Sequence, residues 1–232
     1  MKVNNIDIRK YNAKQLTVNV QPPDISVNYG WIEGAALPVE FKTDVKMGHL
    51  KLSVYFMGKN RSNIIRSVSE LMMNFTKACV MELDGYKGYY RGFLISSDYE
   101  KKKVKTRYIL NLEFDGYFYD DELEVAFDGK TDASFYRVGT RDTPCVVEVL
   151  AKSDLTNYEI QGLGDDVIKV ESLQAGKTVI INGINGLVTM DGASAFDVVD
   201  IWELPVLVNN KIHLVFSNEK AKVTIRYMPM WI

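Results

Sequence analysis

Few residues in this 232-residue chain are of types that do chemistry. There are two histidines, His49 and His213, and two cysteines, Cys79 and Cys145. A nucleophile or a metal site needs such groups at matched spacing with a partner acid or a second ligand. Neither histidine has one nearby in sequence, and both read as surface residues on the polar side or edge of a strand. The cysteines are too few for a disulfide framework and lack metal spacing, so they read as buried free thiols of a reducing compartment. Gly176-Lys177-Thr178 resembles the end of a phosphate-binding loop. That motif also needs a glycine five positions before Gly176, where Glu171 stands, and a helix after it, where Val179-Ile180-Ile181 is strand-like. It reads as a hairpin turn. Asp165, Asp166, Asp197 and Asp200 do not follow a calcium-loop pattern and read as turn residues. Asp120 to Glu124 reads as a solvated linker, because neighbouring carboxylates on an extended chain point to opposite sides. The basic run 101–107 reads as a charged hairpin tip guarding a sheet edge. Asn74-Phe75-Thr76 spells a glycosylation sequon inside an expected helix and reads as incidental. No catalytic, cofactor-binding or metal-binding residue is assigned.

The elements that would position any site are mostly strands. From His49 to Met57, Leu50, Leu52, Val54 and Phe56 alternate with polar residues, the period of a half-buried strand. The stretch 79–83 leads into Asp84-Gly85, a hairpin signal, and a return strand holds Tyr89, Arg91, Phe93 and Ile95. Tyr108, Leu110, Leu112 and Phe114 form another alternating set. Residues 62–78 break the pattern. Ile64, Ile65, Val68, Leu71, Met72 and Phe75 follow the spacing of an amphipathic helix, with Ser62 as its N-cap and the stripe packed on the sheet. The pattern loosens between 119 and 143, which sets the expected boundary: residues 1–130 as one module and 131–232 as a second. In the second, strands are expected at 144–150, 157–161, 167–173, 178–182, 186–190, 212–216 and 222–228, a spacing that suggests a sandwich or jelly roll.

Composition narrows the function classes. Apolar residues make up 47% and charged residues 25%, so the chain is expected to fold. A net charge of −2 disfavours a dedicated nucleic-acid binder. No apolar run is long enough to span a bilayer, and the first residues do not read as a signal peptide. The C-terminal Tyr227, Met228, Met230, Trp231 and Ile232 carry apolar area that must be covered. Val223, Ile225 and Tyr227 read as a closing strand, with Met230 and Trp231 folding back on the second module. A fully buried Trp231 would then contribute about 3–5 kcal/mol relative to alanine.

The order of several short segments then carries a resemblance. These are Val80-Met-Glu-Leu-Asp-Gly-Tyr86, Tyr89-Tyr-Arg-Gly-Phe-Leu94, Leu110-Asn-Leu-Glu-Phe114 and Tyr117-Phe-Tyr119 in the first half. Gly186-Leu-Val-Thr189, Asp200-Ile-Trp-Glu-Leu-Pro205 and Ile225-Arg-Tyr-Met-Pro-Met-Trp-Ile232 follow in the second. Over nearly its full length the chain resembles the distal tail proteins of long-tailed bacteriophages and prophages. The resemblance implies a mainly β fold: an N-terminal β-sandwich-like module with one helix, then a C-terminal galectin-like β-sandwich. It implies a structural virion protein rather than an enzyme, without cofactors. It implies a homo-hexameric ring at the tail tip, assembled in the bacterial cytoplasm. The ring would join the tail tube protein to tail-tip, receptor-binding or baseplate proteins, with DNA only passing through its lumen. The galectin sugar-binding set of His, Asn, Arg, Trp and Glu cannot be placed in 144–232, where His213 is the sole histidine. A head-to-tail ring needs two complementary surfaces on each copy. The apolar stretch 30–38 lacks strand alternation, and Trp31, Ile32 and Leu37 are its candidate oligomer-interface residues. The alternative function, from the sandwich-like second half and Trp202, is a carbohydrate-binding adhesion module of a phage or bacterial surface.

Overall fold

A computed structural model describes residues 1–101 and 106–231. The chain divides into two units, Met1–Tyr119 and Asp120–Trp231.

The N-terminal unit is an antiparallel sheet with a helix. Its strands are β1 (Lys2–Val3), β2 (Ile6–Asp7), β3 (Ala13–Gln21), β4 (Ile25–Gly30), β5 (Val39–Val45), β6 (Gly48–Met57), β7 (Cys79–Glu82), β8 (Tyr89–Lys101) and β9 (Arg107–Tyr119). The main sheet runs in the order β2-β1-β7-β8-β9-β6-β3, while β4 and β5 form a separate two-stranded sheet among the described residues. As the alternation predicts, Leu50, Leu52, Val54 and Phe56 of β6 are buried with Leu110, Leu112 and Phe114 of β9. Each such side chain contributes about 1.5–3 kcal/mol on leaving water.

Helix α1 (Arg61–Met72) covers this face, burying Ile64, Val68 and Leu71, with Phe75 in the 3-10 turn that follows. The structure changes three details of the expected helix. Its N-cap is Asn60, extended at φ −154 and ψ 172, whose side chain accepts from the Asn63 N–H at 2.9 Å; Ser62 is already helical. Ile65, one step or about 100° around from Ile64, faces away from the core. The helix also ends before residue 78, tightening into Met73–Phe75, where the Asn74 amide donates to the Leu71 carbonyl and Thr76 to that of Met73. Those bonds satisfy carbonyls that a helix end leaves open.

Strand β8 also departs from expectation. Phe93 and Ile95 are exposed, whereas Tyr90 is buried and Leu94 packs on the core. Pairing of Tyr90 with Met81 of β7 fixes which face turns inward, and a bulge between Leu94 and Ser96 shifts the alternation beyond it. Gly92 and Gly116 face each other across β8 and β9, and the Tyr90 ring lies against both. A Cβ on Gly116 would sit 2.2 Å from the Arg91 carbonyl. Gly85, at φ +89, makes the β7–β8 turn that Asp84-Gly85 signals.

The C-terminal unit is a sandwich of two sheets. Its strands are β10 (Leu123–Asp128), β11 (Asp132–Tyr136), β12 (Thr143–Ala151), β13 (Leu155–Gln161), β14 (Ile168–Leu173), β15 (Thr178–Asn182) and β16 (Leu187–Met190). They continue with β17 (Ala193–Ser194), β18 (Val199–Asp200), β19 (Val206–Leu207), β20 (Lys211–Phe216) and β21 (Ala221–Tyr227). One sheet runs β10-β21-β12-β15-β16-β17, with β19 pairing β12, and the other β11-β20-β13-β14-β18. The core draws on both, including Val147, Val149, Ile181, Val223 and Ile225 from the first and Tyr158, Ile160, Val170 and Leu214 from the second.

The boundary at Tyr119 lies earlier than the expected 130. Residues 123–128 and 132–136 are strands rather than linker, because Leu123–Asp128 pairs along β21 and Asp132–Tyr136 along β20. The alternation of Leu123, Val125 and Phe127 was a readable signal, hidden by the acidic lead before it. The closing strand is as expected: Val223, Ile225 and Tyr227 are buried, and the Tyr227 hydroxyl accepts from the Val138 N–H at 3.2 Å. Beyond it, the Met230 carbonyl accepts from Thr140 and Arg141. Trp231 remains 37% exposed, its Nε1 donating to Asp120 at 2.9 Å, so the cost assigned to a fully buried ring does not apply.

Candidate assembly surface

Residues 24–46 form a two-stranded arm. Ile25, Val27 and Tyr29 alternate with Ser26 and Asn28, and alternate residues of a strand share a face. In the register with β5, Ile25 meets Val45 and Val27 meets Thr43, whereas Ser26 meets Asp44 and Asn28 meets Lys42. One face is therefore apolar and the other polar. Beyond a register shift Tyr29 meets Glu40, and the Phe41 ring lies against Gly30 on the Ser26 and Asn28 side, so the apolar face consists of Ile25, Val27, Tyr29 and Val45. Within β5, Lys42 pairs with Asp44 at 2.8 Å and Thr43 donates to Glu40, while the Lys46 N–H bonds the Asp24 carbonyl across the base of the arm at 3.0 Å.

The tip, residues 31–38, turns through the Ala35 N–H to Ile32 carbonyl bond and Gly34 at φ +83. The three sequence-chosen interface residues all lie here and face solvent, Leu37 at 74%, Trp31 at 68% and Ile32 at 54% exposure. Reading the tip alone missed the larger surface. Ile25, Val27 and Tyr29 are exposed as well, and their alternation was visible in the sequence. An isolated two-stranded ribbon is marginal in water, and a contiguous exposed apolar face marks an interaction site.

The residues of chemical type are placed differently from a catalytic site. His49 pairs through Nδ1 with Asp115 at 2.5 Å, its register partner across β6 and β9. His213 of β20 is held between Ser134, whose Oγ is 3.1 Å from Nδ1, and Asp132, 3.3 Å from Nε2. The sequence reading saw no partners for either histidine, because they come from strands far along the chain. The Ser134–His213–Asp132 group lies exposed on the β11–β20 pair at a sheet edge. Cys79 and Cys145 are buried thiols, as expected, and desolvation pushes them up to about 11 and about 12. A neutral thiol of that kind is a poor nucleophile.

Gly176, at φ +77, makes a turn into β15, and Lys177 pairs with Asp191 at 2.6 Å; the segment is not the expected hairpin, because β14 and β15 belong to different sheets and it carries the chain from one to the other. Among the described residues no group of three or more His, Cys, Asp or Glu is arranged to hold a metal ion, Asp165, Asp166, Asp197 and Asp200 included. The basic run 101–107 lies largely outside the described residues at 102–105. Asn74 spends its side chain on the Leu71 carbonyl and the Tyr11 hydroxyl. Among the described residues Trp202 is the most exposed large hydrophobic side chain, at 86%. No helix is long and apolar enough to cross a membrane.

Residues 138–231 match the family model of the siphovirus-type tail component, C-terminal domain. No curated protein sequence matches the chain. Among solved structures, the SPP1 Dit (gp 19.1) protein, described as a paradigm of hub adsorption apparatus in phages infecting Gram-positive bacteria, aligns with a TM-score of 0.76 at 14% identity. That alignment covers 100% of this chain and 98% of the other. The phage p2 baseplate in its activated conformation, solved with Sr and with Ca, aligns at TM-score 0.51 and 12% identity over 95% of this chain and 92% of the other. At such identities the structural matches establish the fold, a mainly β chain ending in a galectin-like sandwich, and the family model adds descent for the second unit. Residues 138–231 thus carry the siphovirus-type tail component domain, and the chain as a whole shares its fold with the SPP1 Dit hub protein.

Proposed function

We infer that six copies of this chain form a ring at the tail tip that joins the tail tube to the host-adhesion apparatus. The observation that carries this reading is the β4–β5 arm. Its apolar face and its tip, with Trp31, Ile32 and Leu37, are exposed in the single chain, which is the condition of a surface awaiting another protein. Its base belongs to the N-terminal unit, so that unit is assigned to ring building, with DNA passing through the lumen. The C-terminal sandwich is assigned to holding receptor-binding or baseplate proteins, and Trp202, held out at 86% exposure, is its foremost contact residue.

Native mass spectrometry and light scattering across a concentration series, alone and with the cognate tail tube protein, test the ring. Hexamers are expected, and Leu37→Asp is expected to shift the population to monomers without changing the melting temperature, since Leu37 is solvent-exposed. A protein that stays monomeric in both settings would sink the reading.

A second reading has one observation in its favour. A cleft of about 480 Å³ in the C-terminal unit is lined by Asp154, Thr156, Ser172, Gln174 and Lys177 around the apolar Leu155 and Leu173. Its size and its few polar groups over an apolar floor suit a small polyhydroxylated ligand. A glycan array separates the two: a hub binds none of the glycans, and an adhesion module binds a defined subset that Gln174→Ala abolishes.

A further inference from the structure

Resting on the ring reading, we propose that the apolar face of the β4–β5 arm seats on the outer face of helix α1 of the neighbouring copy. Three observations choose this receiver. The first is an exposed apolar pair on the helix side of the same unit: Ile65 at 56% exposure, with Met73 just after the helix, also exposed. Amphipathic packing accounts for Ile64, Val68 and Leu71 and leaves this second set without use in the single chain.

The second is charge. Residues 24–46 of the arm carry Asp24, Glu33, Glu40 and Asp44 against Lys42 and Lys46, whereas residues 57–73 carry Lys59, Arg61 and Arg66 against Glu70. An acidic arm and a basic helix face attract and fix each other's register.

The third is size. A strand of six or seven residues spans about 20 Å, and a helix of twelve residues about 18 Å, so the arm and the helix match in length. The contact is heterologous, arm of one copy to helix of the next, and such contacts generate rings when the rotation closes. Leu37 at the tip and Ile65 on the helix are its two reporters.

The experiment uses full-length Leu37→Cys and Ile65→Cys variants with a short bismaleimide cross-linker. The native Cys79 and Cys145 are buried and do not compete. Mixing the two single variants is expected to give a cross-linked dimer, and neither variant alone should give one. The double variant should give a ladder ending at a closed hexamer. In a parallel arm, Glu33→Lys with Glu40→Lys is expected to weaken assembly at least tenfold, and Arg61→Glu with Arg66→Glu in the partner to restore it. Oligomers that form without the mixed cross-link would overturn the arm-to-helix contact while leaving the ring standing. Cross-linking of Leu37→Cys to itself would overturn it in favour of arm-to-arm pairing. Monomers throughout, in wild type as well as variants, would remove the ring reading and this contact with it.

Discussion

The guanidinium of Arg137 is one of the few charged groups buried in the C-terminal unit. Its Nε donates to the Asn209 carbonyl at 3.2 Å, Nη2 to that of Val208 at 3.3 Å, and Nη1 to the Arg141 carbonyl and the Thr143 hydroxyl. One planar fork thus ties the 137–143 segment to the 208–209 turn. Replacing it leaves buried carbonyls unpaired at about 1–3 kcal/mol each. Arg137→Met is therefore expected to lower the stability of the C-terminal unit by about 3 kcal/mol, read by chemical denaturation; a loss within experimental error would show that water replaces the guanidinium. At Trp231 the expectation is smaller. Trp231→Phe keeps most of the ring and removes the bond to Asp120, a change of about 1 kcal/mol in the same measurement. Arg137 was not singled out in the sequence, because an arginine's burial depends on a fold formed around it. Trp231 was singled out, and its apolar character read correctly as a reason to fold back, but the degree of burial was overestimated.

At the scale of elements, two cases show opposite sensitivities. The β8–β9 pair is intolerant where Gly116 sits, with the Arg91 carbonyl, Gly92 and the Tyr90 ring all within contact of an added methyl. Gly116→Ala is expected to cost about 3 kcal/mol, because neither paired backbone can retreat without breaking the ladder; an unchanged melting curve would mean that the strands separate more readily than their register implies. The arm is expected to be tolerant. Replacing residues 31–38 by Asn-Gly, a two-residue turn suited to a hairpin, should leave the melting temperature within a few degrees and abolish assembly. A large loss of stability instead would assign the tip to the unit's own core. Helix α1 was legible from its apolar spacing, but its cap and end were not, since both are settled by side-chain bonds of Asn60, Asn74 and Thr76 that compete with equally plausible neighbours.

For the whole molecule, the buried acids set the alkaline limit. Burial raises Cys79 and Cys145 from 9.0 to about 11 and about 12, and Tyr158 from 10.0 to about 12. The folded chain thus keeps protons that the unfolded chain releases from about pH 9 upward. Stability from these groups is fully present below that pH and is lost as pH rises toward about 12. Melting temperatures measured from about pH 8 to 11 should be flat and then fall, with a shallower fall in Cys145→Ala. A midpoint that rises with pH in that range would contradict the assignment.

The sequence by itself determined the mainly β class, the single amphipathic helix, the inward faces of β6, β9 and β21, and the order of segments that carries the tail-protein resemblance. The first three are written in local periodicity, which depends only on neighbours a few residues away, whereas the resemblance rests on the order of motifs along the whole chain. The tertiary structure decided the rest: that 123–136 belongs to the second unit, that His213 meets Asp132 and Ser134, that Tyr90 covers paired glycines, and that Arg137 bridges two loops. Each of these joins residues far apart in the chain, and their meeting is fixed by strand order and register, which no local pattern encodes. The exposed face of the arm combines both. Its alternation is local, but that the single chain leaves it uncovered became known only when every other strand had found its partner.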